Sequence, residues 1–490
     1  MRPVNVSAGA QQYYYERDPI LNADGKNENT FFHGKGAKAL GLESGSKINL
    51  EQFQRLCEGK HPLTGEQLIQ GKIDPSAKTE HRAATDIPFS MPKSFSIAAL
   101  VYGKKDILEI CSSAVKETMD RMEKEYSFSR DAQGKPVYTG NSVFVGAGHA
   151  TSRANDMLIH IHAVNLNMTQ RPDGKWVATH NDAIFRDQKY ITSIFRSILS
   201  EKMVQAGYQL DSRGELIGIP KDLVENFSKR RVQIEKTEAQ LKEKGGITND
   251  GLRNKKATLD SRPEKDKNVT AEQLEKKWDS EIVKMGYTKE ELMKSFKEAQ
   301  ELARAEKEKQ APEGKLTPQD FLRFAVKDAV LKKSVFTKTE VLREAAKLSY
   351  GDGIGMDRLE KAFRELISQK EVVTLKDHQN AQHRGAYSTK EQIQAEKEVV
   401  QMAKEGKGAV KALMTKEEAE KHIENYEHGK DTVLTTGQRD AAMQILTTVD
   451  RFNLIAGHAG TGKTYAMDAV NVSIQAHNSG VEVRAMGFTG

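Results

Sequence analysis

The sequence predicts an α+β fold: an antiparallel-sheet domain first, a charged helical extension of it, a helix-rich α/β module, and a phosphate-binding unit last. Three observations carry this. Two strand-patterned segments, NSVFVGAGH and MLIHIHAVNLNM, follow one another at hairpin spacing. From about residue 225 to 305 the texture turns to Lys/Glu-rich runs with widely spaced Leu, Ile and Met, which reads as solvated helix. Near the C-terminus a glycine-rich loop sits between an apolar run and a helix-compatible segment.

Composition sets the outer bounds. The 490 residues leave room for about two to four domains. Lys and Arg number 75 against 69 Asp and Glu, a net +6, too small an excess over this length to indicate a nucleic-acid partner by itself. Cys57 and Cys111, the only cysteines, make neither a disulfide framework nor a Cys-rich metal site and fit reduced intracellular thiols. The start, MRPVNVSAGAQQ, lacks the apolar core of a secretory signal. The longest apolar stretch, FSIAALVY, falls far short of the roughly 20 residues of a membrane span, so no membrane insertion is expected.

Taken in order, TDIPFSMPKSFSIAAL reads as a strand, a turn made by its prolines, and a helix starting near Ser94. RPDGKW, after the second strand segment, is a turn centred on Asp-Gly. The charged stretch 225–305 shows no repeat strict enough for a long coiled coil and completes a first domain over 1–305. KQAPEGKLTPQDF supplies two prolines and a glycine, placing a linker at 306–316. From 317 to 431, SVFTKTEVLREAAKL, MDRLEKAFRELISQKEVVTL and GAYSTKEQIQ alternate helix and short strand, compatible with a winged-helix-like module. The last unit, 432–490, opens near Thr435.

In that unit, FNLIAGHAGTGKTYAMDAV places Gly457, Gly460 and Gly462 before Lys463 and Thr464. Glycines at this spacing let backbone N–H groups turn toward phosphate oxygens. Lys463 would reach the β and γ phosphates of ATP, and the Thr464 hydroxyl would ligate Mg²⁺. FNLIAG is expected as the strand before the loop, and VEVRAMGFTG as the next strand. Upstream, Gln438 in TTGQRDAAMQIL resembles the adenine-reading Gln of superfamily 1 helicases, and AGHAGTGKT resembles their first motif. A RecA-like ATPase also needs a further acidic residue and an arginine finger. After Thr464 only Asp468 is a candidate, and it falls within the following helix. The unit is therefore expected to be truncated, and the chain a fragment of a longer protein.

His160 and His162 in MLIHIHAVNLNM share one face of a strand by period-2 alternation, and a hairpin would bring His149 beside them. Three neutral imidazoles can hold a divalent ion and leave positions open for substrate oxygens. A surface or packed role is the plainer reading of any one of them. Tyr13, Tyr14 and Tyr15 form a run at the N-terminus. Its plainer reading is one buried ring and two exposed ones, because a phenol with a pKa near 10 is a poor nucleophile without a metal, base or cation.

Taken together, the tyrosine run, HGKGAKALGL, DIPFSMPKSFS, GHATSRANDMLIHIHAVNLNMT and ENFSKRRVQI resemble, in order, the conjugative relaxases of the relaxase–helicase (MobF) class of HUH endonucleases. Tyrosines ahead of the histidines fit relaxases, whereas replication initiators have the reverse order. The resemblance implies an antiparallel-sheet HUH domain with His149, His160 and His162 as metal ligands. It implies Asp86 as the acid that orients a ligating histidine and serves as base to a tyrosine; alone, Asp86 would read as a turn or cap residue. Asn167 matches a supporting position, and Lys93 and Arg153 match basic positions that would neutralise DNA phosphates, or else are solvated surface charges. Counting back from HGKGAKALGL favours Tyr14 as leading nucleophile, with Tyr13 or Tyr15 if a one-residue gap intervenes. The second tyrosine pair common in the family is missing, which leaves a two-tyrosine strand-transfer scheme in doubt.

The implied activity is nicking and rejoining of single-stranded DNA at a plasmid transfer origin, through a 5′-phosphotyrosine intermediate. Mg²⁺ or Mn²⁺ is the expected ion, Zn²⁺ or another the alternative, with ATP–Mg²⁺ at the phosphate loop of the full-length protein. Relaxosome accessory proteins and a type IV secretion coupling protein are implied partners. The implied location is the bacterial cytoplasm, with transfer to the recipient cell on DNA. The Lys/Arg-rich stretch 225–268 would embrace the strand, making binding salt-dependent, and imidazole ligation would make activity fall below about pH 6. The alternatives are a rolling-circle replication initiator or transposase, or a non-catalytic DNA-binding and helicase-loading module. These 490 residues are expected to hydrolyse no ATP; DNA-stimulated turnover in a phosphate-release assay would overturn that.

Overall fold

The computed structural model of the chain describes residues 2–7, 13–14, 18, 20–21, 30–69, 82–245, 249–261, 269–309, 315–375, 385–428, 433–477, 480–484 and 486. It forms two compact units that divide between Tyr387 and Ser388. The stretch 306–316, expected as a linker, falls inside the first unit, and residues 310–314 of it lie outside the described residues.

In the first unit the described strands are β1 (Val4–Ser7), β2 (Thr30–His33), β3 (Arg82–Ser90), β4 (Phe128–Arg130), β5 (Pro136–Tyr138), β6 (Phe144–Thr151), β7 (Met157–Leu166), β8 (Thr169–Gln170), β9 (Trp176–Val177) and, far downstream, β10 (Val372–Thr374). Five of them make a fully antiparallel sheet in the order β1-β3-β7-β6-β2, while β4–β5 and β8–β9 are separate small ladders. Alternation sorts the side chains into two cores. Phe31, Ile87, Phe89, Phe144, Ile159, Ile161 and Ala163 face the helices Lys93–Leu100, Asp106–Tyr126 and Gln188–Gln205. Val6, Phe32, Ala84, Val145, Ala147 and Val164 face the opposite way, toward Leu40, Phe53 and Leu56. The helix Leu50–Cys57, which supplies Phe53 and Leu56, is capped by the Asn49 side chain accepting from Glu51 N at 2.8 Å.

The expected strand, turn and helix appear as β3, Met91–Pro92 and Lys93–Leu100. The charged stretch is helical, at Lys229–Glu243, Asp250–Asp260, Ala271–Lys284 and Lys289–Lys309. Its first helix buries nothing, whereas Leu274, Trp278, Ile282, Leu292 and Phe296 of the last two enter the helical core. Helices Pro318–Lys332, Lys338–Leu348 and Met356–Ser368 share that core. They close on the helix Gln188–Gln205 where Ser197 Oγ donates to the Ile354 carbonyl at 2.8 Å. Burial pushes the Cys57 thiol up to about 12 and raises Cys111 as well, so both stay protonated.

The second unit packs Lys416–His428, Thr436–Thr447 and Lys463–His477 around Ile423, Ala442, Leu446, Val470 and Ile474. The expected strands do not form here. Residues 452–458 carry no ladder and Leu454 is 93% exposed; 481–484 are likewise irregular, while residues 485 and 487–490 lie outside the described residues. A strand of a parallel sheet exists only with neighbours on its edges, and no strand of this unit's described residues stands beside either segment. Among the described residues no helix is long and apolar enough to cross a membrane.

Gly146 on β6 lies opposite Phe31 of β2, and a Cβ there would meet the Phe31 ring at 2.2 Å. Gly146→Ala is therefore expected to destabilise the first unit by about 2–3 kcal/mol through overpacking, read as a lower urea midpoint with an unchanged slope.

Candidate active site

The register of β6 and β7 sets His149 directly opposite His160, with His162 two residues along the same face of β7. The hairpin turns through Ser152–Asp156, where Asn155 takes the left-handed conformation (φ 56°). The ring centroids stand 5.3 Å apart for His149–His160, 5.4 Å for His149–His162 and 5.1 Å for His160–His162. Each Nδ1 has its own neighbour. That of His162 lies 2.9 Å from both Asp86 carboxylate oxygens, reached from β3, where Pro88 pairs with His162. That of His160 lies 3.0 Å from the Leu158 carbonyl oxygen.

That of His149 faces Asp18 Oδ2 at 3.9 Å. Asp18 is buried and accepts from the Ala150 N–H at 2.9 Å and from the N–H groups of Ile20 and Leu21 at 3.0 Å. Asp18 was not among the residues picked out above; the one sequence signal it carries is Asp-Pro after the tyrosine run, which reads only as a turn.

With Nδ1 engaged, Nε2 is the nitrogen an imidazole offers to an ion. The buried Nε2 of His162 has no hydrogen-bond partner among the described residues, as a ligating nitrogen would require. Three imidazoles with a carboxylate behind one of them suit a divalent cation. Among the described residues no three His, Cys, Asp or Glu side chains stand, as placed, at the spacing that would hold a metal ion.

Tyr14 is 5% exposed, with its ring 5.3 Å from His162 and 6.5 Å from Phe53. Burial first, then the charge of Asp86 and a hydrogen bond to it, raise its phenol far above the ordinary tyrosine value. Tyr13 lies further out, its ring 5.8 Å from that of His162 and 6.0 Å from that of His149, with the Arg153 guanidinium 5.9 Å from its centre. Tyr15 lies outside the described residues. A cavity of about 380 Å³ opens over the cluster, lined by Tyr13, the three histidines and Arg153, with Arg230, Thr258 and Leu259 as its far wall.

Lys93 is not among the residues lining that cavity. Its ammonium donates to the Met157 carbonyl, and desolvation, outweighing Asp156 and Glu215, lowers its pKa to about 8. Asn167 donates to the Arg82 carbonyl at 2.9 Å and accepts from the Arg82 guanidinium and from Thr179 N, tying the end of the sheet to the 179–182 segment.

In the second unit Gly460 and Gly462 have φ of +81° and +72°, so the loop needs glycine there. Lys463 Nζ donates to the carbonyls of Gly457 and His458, each at 2.8 Å, and Gln438 Nε2 donates to the Thr461 carbonyl at 2.9 Å. Thr464 is exposed in the first turn of the helix Lys463–His477, and Asp468 within that helix accepts from the Tyr426 hydroxyl at 2.6 Å.

An antiparallel sheet that presents a His-hydrophobe-His strand beside a third histidine, with tyrosines from an upstream segment, defines a relaxase of the HUH endonuclease type. The chain belongs to the TrwC relaxase family, whose pattern matches residues 4–285, and an AAA domain pattern matches 433–490. It is 27% identical over 397 residues to the multifunctional conjugation protein TraI of Escherichia coli, and equally to that of strain K12. That alignment takes in 76% of this chain but spans only about a fifth of the relatives' length (21%). Among solved structures, the conjugative relaxase TrwC in complex with oriT DNA in a copper-bound form is similar at 29% identity and a TM-score of 0.51. A metal-bound form of the same complex gives 29% and 0.50; both cover 59% of this chain and 99% of that one.

The raised phenol yields a direct check. The 295 nm difference between wild type and Tyr14→Phe is expected to stay flat up to about pH 11, where ordinary tyrosines have already ionised; a tyrosinate step near pH 10 would contradict the buried placement.

Proposed function

We propose that the chain nicks and rejoins one strand of DNA at a plasmid transfer origin, the first 305 residues carrying the chemistry and 317–431 and 432–490 forming the start of a helicase region. The observation that carries this reading is the line Tyr14, Asp86, His162: a phenol at a carboxylate whose other contact is a candidate ligand. As the Tyr14 oxygen forms its bond to phosphorus, Asp86 takes the phenolic proton. The bond from phosphorus to the 3′ oxygen breaks, that oxygen leaves as a hydroxyl once protonated, and the 5′ phosphate stays on tyrosine. The reverse sequence rejoins the strand. His162 keeps Asp86 oriented toward the phenol, and Arg153 at the hairpin turn meets phosphate charge at the cavity. His149, His160 and His162 would hold the divalent ion, Mg²⁺ or Mn²⁺ in our reading. When bound, it supplies Lewis-acid polarisation of a non-bridging phosphate oxygen.

A second reading gives Tyr13 the attack, favoured by its place on the cavity wall while Tyr14 lies behind it. The substrate is single-stranded DNA, in keeping with the DNA held by the TrwC structures. Gly457, Gly460, Gly462, Lys463, Thr464 and Gln438 would bind ATP–Mg²⁺. Relaxosome accessory proteins, a secretion coupling protein and passage to the recipient cell on DNA belong to the same reading.

The test is incubation with transfer-origin single-stranded DNA and Mn²⁺, followed by a denaturing gel. Wild type is expected to form a covalent adduct that EDTA abolishes. Tyr14→Phe should lose it almost wholly, and His162→Ala should lower it by about 10–100-fold. Loss in Tyr13→Phe alone moves the nucleophile to Tyr13. No wild-type adduct, or one that survives Phe at all three tyrosines, sinks the reading.

A further inference from the structure

The turn of the histidine hairpin is gripped by the charged helices. It begins three residues after His149 and ends four before His160, so its placement fixes both strands that carry them. Asp156, at its end, is 1% exposed, and its carboxylate takes two bonds from one residue of the helix Lys229–Glu243: Lys229 N at 3.0 Å and Lys229 Nζ at 3.2 Å. The same ammonium reaches Glu281 Oε2 at 2.5 Å, and Asn226 Nδ2 steadies that carboxylate at 3.1 Å. One turn earlier on the Glu281 helix, Trp278 Nε1 donates to the carbonyl of left-handed Asn155 at 2.9 Å. Next in the chain to Lys229, Arg230 donates to the Thr258 carbonyl at 2.7 Å and to Ser261, binding the helix that forms the far wall of the cavity.

An ion pair with one buried partner adds little net stability, but its charge-assisted hydrogen bonds are strongly directional. Here the contacts of Lys229 with Asp156 and of Trp278 with Asn155 converge on one turn, and Lys229 is joined to the cavity wall through its neighbour Arg230. We infer that Lys229, with Glu281 and Trp278, is a positioning residue that sets the His149–His160 hairpin against the far wall of the cavity. The charged helices thereby act on the histidines as well as on DNA. This rests on the reading of those histidines as metal ligands.

The test uses the full chain with Lys229→Met, which keeps the stem but loses the ammonium, and Lys229→Arg, which keeps the charge. Two readouts are taken: hydrogen exchange at residues 150–160, and Mn²⁺ binding followed by electron paramagnetic resonance. Lys229→Met is expected to speed exchange in the hairpin selectively and to weaken Mn²⁺ binding by about 10–100-fold. Lys229→Arg should recover most of both. Uniformly faster exchange over the whole unit, or unchanged exchange in the hairpin, overturns the inference. If wild type binds no Mn²⁺, the metal reading fails instead, and hairpin exchange alone decides the role of Lys229. Trp278→Phe, which removes only one donor, should loosen the same residues more weakly; an effect confined to the Trp278 helix would also overturn it.

Discussion

The bond between Asp86 and His162 is the contact on which the site depends. A buried carboxylate is tolerated only when its charge is met, and here both oxygens lie 2.9 Å from one imidazole nitrogen. That contact crosses from β3 to β7, so it ties together the two strands at the middle of the sheet. It also selects which nitrogen of His162 is left to face the cluster. The same carboxylate stands at the Tyr14 phenol, joining the N-terminal segment to the sheet. Removing it would orphan a histidine, release a tyrosine and leave a polar gap between two strands.

The sheet makes this arrangement possible by giving its two faces different work. Ile159 and Ile161 enter the helical core on one side, while His160 and His162 look out from the other, so the reactive strand is anchored by the residues between its functional ones. Slipping that strand by one position would bury the imidazoles among helices and turn the isoleucines to the cavity. Gly146, with no side chain to place against Phe31, lets β2 close on β6 at the edge of the same strand pair.

What the sequence shows and what it hides divide along contact range. The facing of His160 and His162 follows from alternation, and the place of His149 from a hairpin between adjacent strands; both are local properties. Asp86 is separated from His162 by 76 positions, so only family resemblance pointed to it. Asp18 carries no local signal because its neighbour His149 is more distant still in sequence, and a lone Asp-Pro signals no more than a turn. Lys93 shows the same effect of range: its ammonium donates to the Met157 carbonyl, 64 positions away, which no local pattern displays. FNLIAG has the apolar content of a strand, but strand formation is settled by neighbours that no local pattern supplies. The large first core hides a similar lesson, since residues after 317 enter it despite the prolines before them.

Charge is where the whole-chain arithmetic is least informative. The net +6 averages over 75 cations, yet those around the site are largely committed: Lys229 to Asp156 and Glu281, Arg230 to backbone carbonyls, Lys93 to Met157. Of Lys93 and Arg153, the two basic residues matched singly in the sequence, Arg153 lines the cavity. A phosphodiester reacting there, as proposed, would need further stabilisation of its developing charge. Neutral imidazoles cannot supply it alone, because they offer lone pairs rather than positive charge. In the reading proposed above they would hold a cation where these lysines are already engaged, and a modest basic excess would then suffice.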